Sequence, residues 1–269
     1  MPEGDTVWRA ARDQHTALVG AVLTRSDFRV PKYATADLSG ERVHEVVARG
    51  KHLLHRIGDY TLHTHLKMEG IWRVYRAGER WQRPAHQARV ILEAPGLQSV
   101  GFALGVTELV LTADEDSIVG YLGPDLLGPD WDAEIAIANL RADAARPVFV
   151  TILDQRNIAG WGNVFANELL FLRGLHPERL MGDVDDVPGL VDLGRRMIVA
   201  NRDRSKRVTT GDTRPGQRFW VYGRRGKPCL RCGTRIREGE LGADELTERV
   251  VYWCPNCQPA PDATDAPTG

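Results

Sequence analysis

The chain has 269 residues, 42% of them hydrophobic and 26% charged, with a formal net charge of -1. That length allows two domains, or one domain and a small module, and the composition is enough to bury a core. It also excludes a membrane span, since no apolar run is long enough to cross a bilayer, and the first twenty residues lack the features of a secretory signal.

Taken in order, residues 5–19 are expected to form the first helix. Asp5 or Thr6 can cap it, Val7, Ala10, Ala11, Gln14 and Leu18 fall near one face, and Gly20 ends it. From 21 to about 112, short alternating runs such as "RVHEVVARGKHLLHRI" and "YTLHTHLKMEGIWRVY" are split by Gly and Pro. They predict an antiparallel β-domain. "YLGPDLLGPDW" (121–131) reads as a Pro/Gly linker, and residues 132 to about 200 turn helical. Between Arg195 and Arg237 fourteen Lys and Arg face two acids, Asp203 and Asp212. A chain neutral overall but basic in one stretch can meet a polyanion locally, although a solvated basic face has the same composition. The tail, 259–269, has too little apolar content to fold and is expected to be disordered.

All four cysteines lie near the end, as Cys229-x-x-Cys232 and Cys254-x-x-Cys257. Two short turns joined by a hairpin can set four sulfurs around one ion, and zinc, soft and redox-inert, suits four thiolates. Two disulfides or four free thiols are the alternatives. Basic flanks, "VYGRRGKPCLRCG" and Arg249, favour a nucleic-acid reader over a protein clip. "LDQRNIAGWGNVFANELLFLRG" (153–174) reads as helix, tight turn, helix. Gly160 and Gly162 permit a close backbone approach, and the helix that Asn163 begins presents its N–H groups to an anion. A Gly-Trp-Gly-Asn turn on its own is also ordinary helix punctuation.

Together "MPEG", "HTHLKMEG", "LGPDLLGPDW", "GWGN" and "VYGRRGKPCLRCG…YWCPNCQ" resemble the formamidopyrimidine-DNA glycosylase and endonuclease VIII family, over about residues 2–258. The resemblance implies an α+β multidomain fold: an N-terminal helix with an antiparallel β-sandwich (1–120), the linker (121–131), a helix–two-turn–helix domain (132–222) and a four-Cys zinc finger (223–258). It implies a base-excision repair enzyme, both DNA glycosylase and abasic-site lyase, with one structural zinc ion on Cys229, Cys232, Cys254 and Cys257.

After removal of Met1, Pro2 would carry a secondary α-amine. Such amines titrate near pH 8 (roughly 7.7–8.0), and a helix N-terminus nearby lowers that further, so an uncharged nucleophile is present at neutral pH. By resemblance Pro2 attacks C1′ and forms a Schiff base, Glu3 moves the proton, and β,δ-elimination cuts the strand. Lys51 in "RGKHLL" matches a catalytic-site lysine that reaches a phosphate at the lesion. Asn163 and Arg249 match the other phosphate clamps, which position DNA without reading sequence. Met68 matches a wedge that replaces the flipped base, although a core methionine on a strand would read the same way. His52, His55, His63 and His65 lie close together in sequence; if 51–57 and 60–67 pair, His63 and His65 share a face while His52 and His55 do not. A second metal site there competes with hydrogen-bonded structure.

Two departures from the family favour oxidised pyrimidines over 8-oxoguanine. "SVGFALGVTEL" lacks the arginine–phenylalanine motif of the purine branch, and "RVTTGDTRPGQRFWVYGR" is short for its lesion-covering loop. Lacking two strong wedges, the enzyme is expected to tolerate single-stranded, bubble or fork DNA. A monomer in a bacterial cytoplasm, associated with the nucleoid and without membrane partners, is expected. The alternatives are a purine-type glycosylase and a non-catalytic zinc-ribbon DNA binder.

Overall fold

In the computed structural model the described residues are 2–244 and 247–261. Met1, the end of the "EGELGADE" insertion and the tail from residue 262 on lie outside them, so the expected removal of Met1 and disorder of 262–269 fall there too. By contacts the chain divides into two compact units, 1–121 and 122–269.

The first unit opens with α1 (Gly4–Leu18). It starts one residue earlier than the sequence suggests: the N-cap is Glu3, whose backbone carbonyl accepts from Thr6 and Val7 N–H. Gly4, Val7, Ala11, Gln14 and Leu18 are buried, the three-and-four spacing of one helical stripe. Behind α1 lie two four-stranded antiparallel sheets. One has the order β1 (Arg25–Phe28), β6 (Ala88–Ala94), β7 (Leu97–Phe102), β5 (Ile71–Arg76); the other has β2 (Val43–Arg49), β3 (His52–Ile57), β4 (Tyr60–His65), β8 (Val106–Leu111). Val7, Ala11 and Leu18 share one apolar core with Val46, Leu53 and Leu62 of the second sheet and Val90 and Leu92 of the first. Buried Gln14 ties α1 to the sandwich by accepting from the Ser99 hydroxyl. A short α2 (Asp116–Val119) ends the unit.

The second unit holds α3 (Ala133–Ala142), α4 (Val148–Leu153), α5 (Asn163–Arg173), α6 (Val187–Asn201) and the hairpin of β9 (Arg237–Leu241) and β10 (Arg249–Trp253). The segment after Tyr121 is packed rather than a free tether. Leu122 and Leu126 are buried, Gly123 N–H donates to Gln155 O, and Asp125 bridges to Ala159. α5 is buried from Asn163 through Phe171, and Gly174 ends it in the left-handed region at φ +70°. No helix among the described residues is long and apolar enough to cross a membrane.

Candidate functional site

Pro2 directly precedes the N-cap of α1, and Glu3 is fully buried. Because the helix begins at Gly4, its positive end lies within two residues of the proline nitrogen.

Lys51 occupies the turn between β2 and β3, where Gly50 takes φ +59°. The β3–β4 register sets His52 opposite His65, and His52 packs on both His63 (ring centroids 4.9 Å) and His65 (5.2 Å). His63 and His65 do share a face. His55 points to the other side, fully buried, its ring 4.7 Å from that of Trp72. A hydrogen-bond chain crosses the face: Tyr121 OH to His52 Nε2 (3.2 Å), His52 Nδ1 to His63 Nε2 (2.8 Å), His63 Nδ1 to Glu108 Oε2 (2.9 Å). Burial, then the charges of His63, His65, Lys67 and Lys51, lowers His52 to about 3; burial and the same two lysines lower His65 to about 4. Burial also lowers His63, against the pull of Glu108. The ring nitrogens of His52 and His63 bond to each other, to Tyr121 and to Glu108, and His65 Nδ1 accepts from Lys67 N–H. These three histidines form a hydrogen-bonded cluster, and among the described residues the four cysteines are the group placed to hold a metal.

Met68 sits in the turn between β4 and β5 and is 63% exposed, so it is not a core methionine. The turn is held open by strain and hydrogen bonds: Lys67 adopts φ +50°, its N–H donates to His65 Nδ1 (2.9 Å), and Gly70 N–H donates to Leu66 O (2.9 Å). That bond leaves the His65 proton on Nε2.

In the second unit Gly160 takes φ +112° and fully buried Trp161 packs on Gly194, where a Cβ would lie 2.1 Å from its ring. Gln155 closes the turn, donating to Leu153 O and Trp161 O and accepting from Gly160 N–H. Asn163 then opens α5 and donates to Val250 O (2.9 Å), next to exposed Arg249. Asn167 donates to Asn163 O (2.7 Å) and Oδ1 (3.0 Å) and accepts from Tyr252 N–H (2.5 Å). Asn163 and the strand bearing Arg249 thus form one stitched surface.

The four cysteines carry no disulfide. Their sulfurs lie within 4.8 Å of one another, with Cys229–Cys257 at 4.0 Å and Cys232–Cys254 at 3.4 Å. A tetrahedron with metal–sulfur bonds of about 2.3 Å has edges of about 3.8 Å, so the donor set fits an ion. Hydrogen bonds from Thr234 draw the Cys232 thiol down to about 6, while burial raises Cys254 and pushes Cys257 up to about 12, so the fit to an ion rests on the sulfur geometry.

Several functional residues escape sequence reading. Glu168, fully buried, accepts from Trp220, Val221 and Tyr222 N–H and from the Thr209 hydroxyl, and so anchors the basic 209–222 segment. Burial raises its pKa against those four bonds. Glu108 and Tyr121 give no sequence signal either: the β4–β8 pairing sets Glu108 opposite His63, and the turn after α2 brings Tyr121 to His52.

Two family models match: the formamidopyrimidine-DNA glycosylase N-terminal domain over residues 1–103 and the formamidopyrimidine-DNA glycosylase H2TH domain over 122–186. A probable endonuclease 8 2 of Streptomyces coelicolor is 54% identical, covering 97% of this chain and 95% of its own. A DNA-(apurinic or apyrimidinic site) lyase Nei2 of Mycolicibacterium smegmatis is 49% identical over 97% of this chain and 100% of its own. Among solved structures, a Lactococcus lactis Fpg in complex with abasic-site DNA aligns with TM-score 0.78 at 23% identity, over 96% of this chain and 100% of that one, which establishes a common fold. The chain belongs to the formamidopyrimidine-DNA glycosylase and endonuclease VIII family.

Proposed function

We propose that the protein is a bifunctional DNA glycosylase and abasic-site lyase of base-excision repair that removes oxidised pyrimidines. The observation that carries this reading is the intact Pro2-Glu3 pair heading α1 in a chain 54% identical to a probable endonuclease 8 2. Pro2, made N-terminal by removal of Met1, attacks C1′, and the helix N-terminus favours its uncharged amine. Glu3, buried beside it, protonates the sugar ring oxygen. A Schiff base forms and elimination cuts the strand.

Lys51, Asn163 and Arg249 grip backbone phosphates. The Val250 carbonyl bond supports the last two acting together. Cys229, Cys232, Cys254 and Cys257 hold one zinc ion, whose part is to fix the hairpin that presents Arg249. Residues 1–120 carry the chemistry, and 132–222 with 223–258 carry the grip on DNA. β7 ends at Phe102 and β8 starts at Val106, a link too short to project a second pair of wedges beside exposed Met68. This supports pyrimidine lesions, and single-stranded, bubble or fork DNA as further substrates for a monomer in the bacterial cytoplasm, near the nucleoid.

The test is borohydride trapping on an oligonucleotide with one dihydrouracil, then mass spectrometry of the adducted peptide. An adduct on a peptide beginning at Pro2, absent from Pro2→Gly, is expected. Trapping on 8-oxoguanine alone would move the enzyme to the purine branch, and no adduct on any lesion or abasic site would leave a zinc-ribbon DNA binder.

A further inference from the structure

The histidine face contains more order than a solvated sheet edge requires. Glu108 Oε2 accepts from His63 Nδ1, so His63 Nε2 is left as the acceptor. His52 must then donate from Nδ1, which leaves a lone pair on its Nε2. The group on that lone pair is the hydroxyl of Tyr121, itself 53% exposed. The carboxylate end is on β8 and half-open to solvent, with 41% of the Glu108 side chain exposed, while His63 is 3% exposed.

Apart from the neighbouring histidines, the charged side chains that act on His52 are lysines. Lys51 of the hairpin turn and Lys67 of the following turn bear on His52, and His65 carries its proton on Nε2. From the other side Glu108 and Glu115 act on His63. Within this described cluster His63 Nε2 accepts from His52 and His65 Nδ1 from Lys67 N–H, and His52 Nε2 is the acceptor whose partner is an exposed side chain, Tyr121. An edge built to meet a phosphate needs donors; an acceptor placed among them, backed by a carboxylate through a second imidazole, needs another reason.

We propose that His52 takes the proton released when the strand is cut, with His63 and Glu108 as the positioning residues that fix its lone pair on Nε2 and pass the charge on to the carboxylate. The proposal rests on the Schiff-base lyase reading above. In β-elimination the C2′–H bond breaks and its electron pair forms the C2′–C3′ double bond. The C3′–O bond breaks, and its pair leaves with the phosphate. The proton forms a new N–H bond at His52 Nε2, the His52 Nδ1 and His63 Nδ1 protons shift toward His63 and Glu108, and the positive charge is met by the carboxylate. Free of DNA, burial and the neighbouring lysines keep His52 neutral and ready to accept. A bound phosphate offsets those lysines as the proton arrives. Base release, which uses Pro2 and Glu3, does not draw on the relay.

The experiment is single-turnover kinetics on a dihydrouracil oligonucleotide, with base release read after alkali and strand cleavage read without it. A preformed abasic site serves as second substrate. His52→Ala is expected to slow cleavage on both substrates on the order of 100-fold, with base release within about twofold and free imidazole restoring part of the loss. Glu108→Gln, nearly isosteric, is expected to slow cleavage about tenfold, to flatten its acid limb and to raise the yield of borohydride adduct, because the Schiff base accumulates. A merely structural role would slow both phases together and leave the pH profile unchanged. Parallel loss of both phases, or unchanged cleavage in folded His52→Asn and Glu108→Gln proteins, would overturn the proposal. Absence of any adduct in the wild-type protein would instead overturn the lyase reading.

Discussion

The first unit gathers buried and half-buried histidines and ion pairs around β3 and β4, whereas in the second a set of buried amides joins the elements beside one buried carboxylate, Glu168. In the first, Arg56 is gripped by Glu45 and Glu115, His52 and His63 lean on Glu108, and His55 is sealed against Trp72. In the second, Gln155 closes the turn, Asn163 and Asn167 join α5 to β10, Asn201 pins Val208, and Gln258 ties Cys254 N–H to Leu175 O. Amides keep the same donors and acceptors at every working pH. A surface that grips a phosphodiester, charged at any such pH, gains nothing from titration, whereas a site that moves protons needs groups that can carry them.

The largest expected effect breaks the second unit alone. Cys254 adjoins β10, the strand that receives the Asn163 bond and carries Arg249. Cys254→Ser, or treatment with a chelator, should free that strand and with it the proposed phosphate grips of Asn163 and Arg249. With each charge-assisted hydrogen bond worth about 1.5–3 kcal/mol, affinity for an abasic-site duplex should fall by at least about 100-fold. Hydrogen exchange in α1 and β3 should stay as it was. Affinity within threefold of wild type in the metal-free protein would mean that the hairpin contributes no grip.

Acid should act mainly on the first unit, where burial lowers His52, His55, His63 and His65, against His176 in the second. His52 and His55 are lowered to about 3 and His65 to about 4, all by burial first, while unfolded histidine titrates near 6.5. Above that value both states are neutral and these groups leave stability unchanged. Between about 6.5 and the folded values the unfolded chain binds more protons, so stability falls as pH falls. Fully buried His55 should cost about 1.4 kcal/mol for each pH unit below about 6. Unfolding monitored by hydrogen exchange at pH 7 and pH 5 should show β3 and β4 losing protection while α5 keeps it. His55→Phe should remove part of the slope. Equal loss in both units would erase the comparison.

What the sequence disclosed follows the same division between local and distant. The stripe of α1, the paired Cys-x-x-Cys turns and the Gly-Trp-Gly-Asn turn are local, since each is set by residues within a few positions, and each was legible. Even there the N-cap moved to Glu3, because a backbone carbonyl can begin a helix without a capping side chain. The shared face of His63 and His65 followed from strand alternation. The partners did not: Glu108 lies 45 residues from His63, and Tyr121 lies 69 from His52. Glu168 gave no signal either, because its three N–H donors at Trp220, Val221 and Tyr222 depend on how a segment without regular structure returns to α5.

The smallest effect separates a functional from a structural reading at one exposed side chain. Met68 is 63% exposed on a turn whose shape comes from the Lys67 backbone, the Lys67 N–H bond to His65 and the Gly70 N–H bond to Leu66 O. Met68→Ala should therefore change unfolding stability by less than about 0.5 kcal/mol. If the side chain fills the gap left by an extruded base, its loss should slow base release in duplex by about tenfold, equivalent to about 1.4 kcal/mol of lost stacking. The same variant should cut a lesion in single-stranded DNA at the wild-type rate, because no stacked gap exists there to fill. Slowing on both substrates would place Met68 in the chemistry rather than the wedge, and slowing on neither would leave extrusion to the unstable pairing of the damaged base.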